Sequence, residues 1–332
     1  MKATGRDEMK AISLAVMLVA ALAAGIESRA DDYPSKPVRV LVGFAPGGGT
    51  DITARVLAPG IAKRLGQPII VENHPGAGGN IAAELVAKAV PDGYTLLMGT
   101  IAALAINPSL YRRAALDPLR DLTPITQTVS LANLVVAHPS LPVRTLTDLI
   151  ALARAKPDTI TYGSSGAGSA GHLAGELFKS MAQVKLVHVP YKGGAPAMAD
   201  LVGGQLNLNF AAASEAIAQT KSGAVRALAV TTPDRIADLP DVPTVAEAAG
   251  LKGYQAVNWY GLTGPAKLPR PLVDRIFAAT VETLNDPAVR AKLLGSGLQP
   301  APSRTPEEFG EFMRSEGVKW ARVVKESGAT VD

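Results

Sequence analysis

The sequence predicts an α/β protein made of two doubly wound lobes that are joined by a two-strand hinge. Short β-branched runs alternate with amphipathic stretches, and strands recur about every 25 to 30 residues, which is typical of βαβ units in a mostly parallel sheet. The last part of the chain offers one apolar strand and three helices, too few strands for a sheet of its own. We therefore expect it to return to the first lobe, so that the chain crosses between lobes near residues 131 and 253.

In the first lobe, the apolar runs predict three strands separated by two helices. The predicted strands cover 38–43, 68–72 and 94–99, and the predicted helices cover 51–65 and 80–89. Pro59 and Gly60 fall inside the first helix and predict a kink or a break there. After the third strand comes an irregular stretch rich in Pro and Leu.

In the second lobe the alternation resumes with a strand over 131–137. Thr145 and Asp148 have the spacing of a capping box for a helix through Ala155. Strands are then predicted over 159–163, 185–189, 206–211 and 225–230, with helices over 171–182, 195–202 and 215–222. The returning segment predicts a strand over 254–262 and helices over 270–284, 287–294 and 305–326. The lobes are thus predicted as 31–131 with 254–332, and 132–253.

Composition excludes several classes of protein. The 332 residues include no Cys, so disulfides, thiolate metal sites, Cys nucleophiles and acyl-Cys anchors are excluded. The formal charge of +4 comes from 33 basic and 29 acidic residues without a dense Lys/Arg run, so we expect no nucleic-acid partner. An apolar content of 47% with 19% charged residues argues against a disordered chain.

Residues 1–30 have the pattern of a secretory signal peptide. Lys2, Arg6 and Lys10 precede the apolar stretch 11–25, and Ser28 and Ala30 put small residues at positions −3 and −1 of a cleavage site before Asp31. The stretch is shorter than the roughly 20 residues that a membrane-spanning helix needs. We therefore expect export to the periplasm, where ATP and NAD are scarce.

Glycine-rich loops follow the predicted strands, at the sheet edge where α/β proteins bind ligands. Residues 44–51 contain three glycines, and Thr50 or Asp51 is the expected helix cap. Residues 74–80 form a similar loop with Asn80 as the expected cap, and 161–169 form another in the second lobe. Consecutive N–H groups at helix N-termini favour anions, so one loop from each lobe predicts a carboxylate site in a cleft. The alternative is that these glycines only turn the chain.

Catalytic interpretations have weaker support. The pattern Gly166-x-Gly168-x-x-Gly171 matches a dinucleotide fingerprint, but the next strand lacks the acidic residue that would bind a ribose, and no phosphate-binding P-loop motif occurs. Ser164 or Ser165 could pair with His172 or His188 in a hydrolase, although no nucleophile-elbow motif is present.

Two further patterns are better explained by structure than by chemistry. His172 and Glu176 lie one helical turn apart and could share a metal, but a hydrogen-bonded structural histidine is favoured. Trp259 and Tyr260 could floor the cleft, although a place in the core is favoured. We expect no catalytic residue, metal or cofactor.

Six motifs occur in one order along the mature chain: Tyr33-Pro34-x-Lys36-Pro37-Val38, Pro46-Gly47-Gly48-x-x-Asp51, Glu72-Asn73-x-x-Gly76-Ala77-Gly78-Gly79, Asp92-Gly93-Tyr94-Thr95-Leu96, Tyr162-Gly163-Ser164-x-Gly166-x-Gly168-Ser169 and Val189-Pro190-Tyr191-Lys192-Gly193. Together they resemble the Bug family, the extracytoplasmic receptors of tripartite tricarboxylate transporters. The resemblance implies a type II periplasmic-binding-protein fold, or Venus flytrap, whose lobes each offer a loop to one ligand carboxylate. Carried onto this chain, it implies ligand contacts from Gly47, Gly48, Thr50, Asp51, Ser164, Ser165 and Ser169, with Thr100 and Asn107 matched by loop position.

One segment departs from the family pattern. Relatives read roughly Gly-x-Val-Asp-x-x-Phe-Asp where residues 204–211 of this chain end in Phe210-Ala211. If the last acid faces the cleft in relatives, Ala211 removes a partner for a ligand ammonium. This substitution favours uncharged or purely acidic ligands over amino acids.

The leading hypothesis is a monomeric periplasmic solute-binding protein that captures a small organic acid and delivers it to the membrane subunits of a tripartite tricarboxylate transporter. One alternative is an extracytoplasmic ligand sensor that feeds a signalling receptor. Another is an exported Ser-dependent hydrolase. The sequence does not identify the ligand.

Overall fold

The computed structural model describes residues 33–111, 115–327 and 330. The expected signal peptide, residues 1–30, lies outside these described residues. Among the helices that are described, none is long and apolar enough to cross a membrane.

The described residues form two β-sheets surrounded by helices. The strands are β1 (Val38–Val42), β2 (Ile69–Asn73), β3 (Thr95–Thr100), β4 (Leu122–Leu131), β5 (Asn133–Ala137), β6 (Thr161–Ser164), β7 (Val187–Pro190), β8 (Leu208–Ala212), β9 (Arg226–Val230), β10 (Asn258–Pro265) and β11 (Gln299–Pro300). The helices are α1 (Gly49–Leu65), α2 (Asn80–Ala87), α3 (Asn107–Leu110), α4 (Pro118–Asp121), α5 (Leu146–Ala155), α6 (Ala170–Ala182), α7 (Gly194–Val202), α8 (Ala213–Lys221), α9 (Val245–Ala249), α10 (Arg270–Asn285), α11 (Pro287–Leu294) and α12 (Pro306–Ser327). A 3₁₀ turn (Ala77–Gly79) precedes α2, and a π-helical segment (Ala102–Ile106) follows β3.

The first sheet has six strands in the order β11-β4-β10-β3-β1-β2. Strand β1 pairs in parallel with β2 and β3, whereas β10 runs antiparallel between β3 and β4. The strand that returns from the end of the chain therefore lies inside the sheet rather than at its edge.

The second sheet has five strands in the order β7-β6-β8-β5-β9. Strand β6 pairs in parallel with β7 and β8, and β5 runs antiparallel to β8 and β9. Each sheet thus carries one antiparallel strand in its interior, and both lobes have the α/β architecture that the alternation predicts.

Two segments connect the sheets, a single residue in one case and residues 231–257 with α9 in the other, and one buried residue ties them together. Ala132 separates β4 from β5, and a second segment joins β9 to β10. The Thr231 hydroxyl accepts a hydrogen bond from the Asn133 N–H at 3.1 Å and donates one to the Ala256 carbonyl at 2.7 Å. Both crossing segments are therefore fixed to each other at one point between the lobes.

The expected break at Pro59 is wrong, because α1 continues through it to Leu65. Pro59 is on the exposed side of the helix, where water can donate a hydrogen bond to the carbonyl oxygen that has no N–H partner. The next residue, Gly60, lies against α10, and a Cβ on it would lie 2.4 Å from Cγ2 of Thr283. The glycine therefore permits close packing of two helices instead of breaking one.

The stretch predicted as irregular contains a long strand, β4. Its ten residues pair with β10 along their whole length and with β11 at Val129 and Ser130. Pro124 is tolerated because β11 does not reach that part of the strand, so the proline removes no hydrogen bond on that side. The run predicted as one strand over 131–137 is divided at Ala132.

The predicted helix cap is present, and a second cap begins α12. Thr145 and Asp148 form a reciprocal capping box at the start of α5. The Thr305 hydroxyl accepts a hydrogen bond from the Glu308 N–H at 3.1 Å at the start of α12. Trp259 belongs to the core, as favoured from the sequence, and its indole N–H donates to the Glu316 carboxylate at 3.0 Å.

Candidate functional site

A cavity of about 480 Å³, including its opening to solvent, lies between the two sheets. Both lobes contribute to its wall, mostly through loops and helix N-termini that follow strands. Its lining comprises Phe44, Gly48, Gly49, Thr50, Thr100, Ala102, Asn258 and Tyr260 from the first lobe, and Asn133, Ser165, Ser169, Ala170, Gly171, Gly194, Asn209, Phe210, Ala211, Ala212 and Glu215 from the second.

The loop between β1 and α1 presents the N-terminus of a helix to the cavity. Gly47 has φ of 84°, a conformation that glycine adopts without strain, and it turns the chain into α1. The N-cap is Gly48, which offers no side-chain hydrogen bond, so the expected cap by Thr50 or Asp51 is wrong. The N-cap itself places no side chain over this helix end. The Gly49 N–H faces Oε1 of Glu215 from the second lobe at 3.4 Å, and the N–H groups beside it are suited to a ligand anion.

Asp51 supports this loop from behind. Its carboxylate accepts hydrogen bonds from the Gly47 N–H at 3.0 Å, from Arg55 at 3.0 Å and from the Asn73 amide at 2.9 Å. Burial pushes the pKa of Asp51 upward, but these hydrogen bonds outweigh it and hold the pKa below the usual value. With its oxygens used in this way, Asp51 shapes the loop and is not part of the cavity wall.

The loop between β6 and α6 faces the first one from the second lobe. The Ser169 hydroxyl caps α6 by accepting a hydrogen bond from the His172 N–H at 3.2 Å. Ser165 and Ser169 both line the cavity. The 3₁₀ turn before α2 also contacts this loop: a Cβ on Gly78 of the first lobe would lie 2.6 Å from the Ala167 carbonyl oxygen.

Two stacked histidines lie beneath the second loop. The rings of His172 and His188 are 4.1 Å apart and inclined by 14°. The Gly168 N–H donates to Nδ1 of His172 at 3.1 Å, and Nε2 of His188 lies 2.7 Å from Oγ of Ser164. Burial lowers the pKa of His172 to about 4 and that of His188 to about 3. Both imidazoles are therefore neutral at pH 7 and hold the loop through hydrogen bonds.

The Ser164 and His188 pair has the spacing of a nucleophile and its base, but not the exposure. Ser164 has no accessible surface, and its hydroxyl also bonds to the Gly166 backbone. It does not line the cavity. Glu176 lies 3.8 Å from His172, and over residues 33–111 and 115–327 no group of three or more His, Asp or Glu side chains is placed to hold a metal.

Four buried polar side chains in the cavity wall have atoms without a hydrogen-bond partner in the described protein. These residues are Thr100, Asn133, Asn209 and Asn258, each less than 10% exposed. An unpaired buried polar group costs about 1 to 3 kcal/mol, so several in one wall indicate partners supplied from the cavity.

Among the described residues of the wall, Glu215 at the start of α8 is the one carboxylic acid. Its Oε1 lies 3.4 Å from the Gly49 N–H of the opposite lobe. Burial raises the pKa of Glu215 to about 7, although the N–H groups of Gly49 and Ala212 oppose the shift. Tyr260 also lines the cavity, and burial raises the pKa of its phenol.

The structure gathers only part of the expected site. Gly48, Thr50, Thr100, Ser165 and Ser169 line the cavity. The other expected residues are not in the lining: Asp51, Asn107 and Ser164 are buried and hydrogen-bonded to the loops, and Gly47 is exposed.

Asn107 contacts the loops of both lobes. Its amide Nδ2 donates to Asn80 at 2.7 Å, and a Cβ on Gly168 would lie 2.3 Å from its Oδ1. Asn80 is the first residue of α2 rather than its cap, which is Gly79.

The sequence interpretation missed the asparagines at 133, 209 and 258 and the acid at 215. Their one signal in the sequence is a polar side chain in or beside an otherwise apolar strand.

Two α/β lobes with a polar cavity between them, reached by helix N-termini from both sides, define the class of two-lobed solute-binding proteins. The family model described as tripartite tricarboxylate transporter family receptor matches residues 53–329. The chain belongs to this family.

Individual relatives agree with this assignment. A protein from the TAR-I ttuE-ttuC' intergenic region of Agrobacterium vitis is 36% identical over 97% of this chain and 93% of its own length. BugT of Bordetella pertussis is 35% identical, with coverage of 95% and 97%. The R. palustris protein Rpa4515 with adipate has a TM-score of 0.86 at 36% identity, covering 90% of this chain and all of its own. MatC from Rhodopseudomonas palustris with bound malate has a TM-score of 0.85 at 33% identity, with coverage of 88% and 100%.

The resemblance to the Bug family is therefore confirmed, together with the Venus-flytrap fold. The family consists of solute-binding receptors of a periplasmic transport system and not of enzymes. Neither the dinucleotide nor the hydrolase interpretation of the second-lobe loop has support from these relatives.

Proposed function

We propose that this protein captures a small carboxylate-bearing solute in the cavity between its lobes and presents it to a tripartite tricarboxylate-type membrane transporter. The observation that carries the proposal is the cavity wall, where two uncapped or glycine-rich helix N-termini meet several unpaired buried polar atoms. The relatives bound to adipate and malate support a carboxylate as the ligand.

In this proposal Gly48, Thr50, Thr100, Ser165 and Ser169 contact the ligand. Gly47, Asp51, Asn107 and Ser164 hold the loops in shape. The first lobe, 31–131 with 254–332, and the second lobe, 132–253, would move as two bodies about the segments tied by Thr231. A ligand that contacts both lobes favours the closed arrangement.

Ligand binding can be tested on protein that has been unfolded in guanidinium, dialysed and refolded to remove any bound solute. At a ligand concentration of 100 Kd, binding stabilises the folded state by about 2.7 kcal/mol, which raises the melting temperature by several degrees. Ser165→Trp places an indole in the cavity and should abolish the shift, whereas the exposed Ser222→Trp in the same lobe should retain it. If mono-, di- and tricarboxylates and aromatic acids all leave the melting temperature unchanged, the proposal fails.

Export and delivery need separate tests. Cleavage of the proposed signal peptide predicts a periplasmic protein whose N-terminal residue is Asp31. Deleting the gene should abolish uptake of the radiolabelled ligand if the protein serves a transporter. Normal uptake in the deletion strain, with a lost transcriptional response to the ligand, would instead indicate a sensor.

A further inference from the structure

Glu215 is held in a fixed place in the cavity wall. Its carboxyl group packs against the backbone at the start of α7, where a Cβ on Gly194 would lie 1.9 Å from Oε2. On the other side, Oε1 faces the Gly49 N–H at the start of α1 at 3.4 Å. Backbone from both lobes therefore lies against this carboxyl group.

No basic side chain accompanies this acid in the wall. Among the described residues that line the cavity there is no Lys, Arg or His, and the remaining polar groups are hydroxyls, amides and backbone N–H groups. A ligand with two carboxylates would therefore bring its second charge into a cavity that holds an acid and no cation. Like charges at short range in a poorly hydrated site disfavour binding.

Unpaired amide groups provide a second, independent observation. The Oδ1 atoms of Asn209 and Asn258 have no partner in the described protein, and neither do the Nδ2 atoms of Asn133 and Asn209, so the wall offers acceptors to a cation and donors to a carboxylate. Glu215 adds carboxylate oxygens to this set. An ammonium group offers three donors and no acceptor, which complements amide carbonyls and a carboxylate.

We infer that the preferred ligand is a small zwitterion, with a carboxylate for the helix N-termini and an ammonium group that pairs with Glu215. This inference rests on the proposed function and names the ligand class within it. It reverses the expectation drawn from Ala211, since the acid missing at that position is replaced by one four residues later on α8. A bound cation would also stabilise the ionised carboxylate and so offset the effect of burial on the pKa of Glu215.

A matched ligand series tests the inference on the refolded full-length mature protein. Straight-chain monocarboxylates of three to six carbons are compared by calorimetry at pH 8 with their 2-amino and terminal-amino derivatives and with dicarboxylates of equal length. We expect the best amino acid to bind at least about tenfold more tightly than the dicarboxylate of its length. Glu215→Gln should remove most of this preference, and Glu311→Gln, an exposed change on α12, should leave it intact.

The possible results separate this inference from the proposed function. Dicarboxylates that bind as tightly as amino acids, or more tightly, overturn the inference and leave the proposed function standing. The same holds if Glu215→Gln weakens every ligand by the same factor, because Glu215 would then act only on the shape of the cavity. If neither this series nor the wider carboxylate panel binds, it is the proposed function that fails.

Discussion

The buried histidines make the second lobe sensitive to acid, and His172 allows the size of this effect to be worked out. Its Nδ1 accepts a hydrogen bond from Gly168, and its ring stacks on His188. Burial lowers the pKa of His172 from the usual 6.5 to about 4; the charge of Glu176 opposes this change and that of Lys179 adds to it. The folded protein therefore binds this proton less readily than the unfolded chain does.

The sign and size of the pH effect on the free energy of unfolding follow from the difference in proton binding between the two states. Above pH 6.5 the His172 imidazole is neutral in both states, and the free energy of unfolding has its full value. As the pH falls from 6.5 towards 4, the unfolded chain binds a proton and the folded protein does not, so the free energy of unfolding decreases. At pH 5 the loss is about 2 kcal/mol for His172. The pKa of His188, lowered to about 3 by burial and by its neighbours His172 and Lys179, adds a loss of similar size.

Urea unfolding followed by circular dichroism at pH 7 and pH 5 measures this loss. His172→Gln keeps a side-chain acceptor without a group that titrates, so the variant should lose about 2 kcal/mol less than the wild type between the two pH values. His138→Gln, which lies in the same lobe and contacts Ser140 instead of this stack, is the matched control. Equal pH dependence in the wild type and His172→Gln would refute the reasoning.

Three further substitutions have expected outcomes. Gly171→Ala would place a Cβ 2.2 Å from the Phe210 carbonyl, so α6 must shift, and thermal melting should show a loss of more than about 2 kcal/mol; a melting temperature within one degree of wild type would contradict this. Tyr162→Phe removes the 2.6 Å hydrogen bond to Glu176 and should lower the free energy of unfolding in urea by about 1 to 3 kcal/mol. An unchanged free energy of unfolding would contradict this and would indicate that water replaces the hydroxyl. Thr145→Ala should cost about 1 kcal/mol by the same method and Thr145→Ser much less, and equal losses would exclude the cap as the cause.

Features fixed by local chemistry could be predicted from the sequence. The buried strands β1 and β3 and the capping box of α5 depend on residues close together in the chain, and all three appear where periodicity and spacing place them. The glycine-rich loops also reach the cavity, because parallel strands deliver their carboxyl ends to one edge of a sheet.

Features that depend on pairing between distant parts of the chain could not be predicted from the sequence. Strand β4 has a mixed polar pattern and a proline, and its identity depends on its pairing with β10 more than a hundred residues later. Asn258 and Glu215 reach the cavity only because β10 enters the first sheet and α8 follows β8. The sequence also did not predict side-chain directions. Asp51 and Ser164 lie in the expected loops, but their side chains form hydrogen bonds behind the cavity wall.

The position of β10 between β3 and β4 makes the first sheet depend on a strand that is synthesised late. All strands of the second sheet have been made once residue 230 has been added, whereas the first sheet lacks an interior strand until residue 265. Until then, β3 and β4 each present a row of unpaired backbone groups that can capture a strand of another chain. In chain order, the strands of the second sheet are therefore complete before those of the first. The first sheet, which contains the earliest strands β1 to β3, is the last to have its interior backbone groups paired.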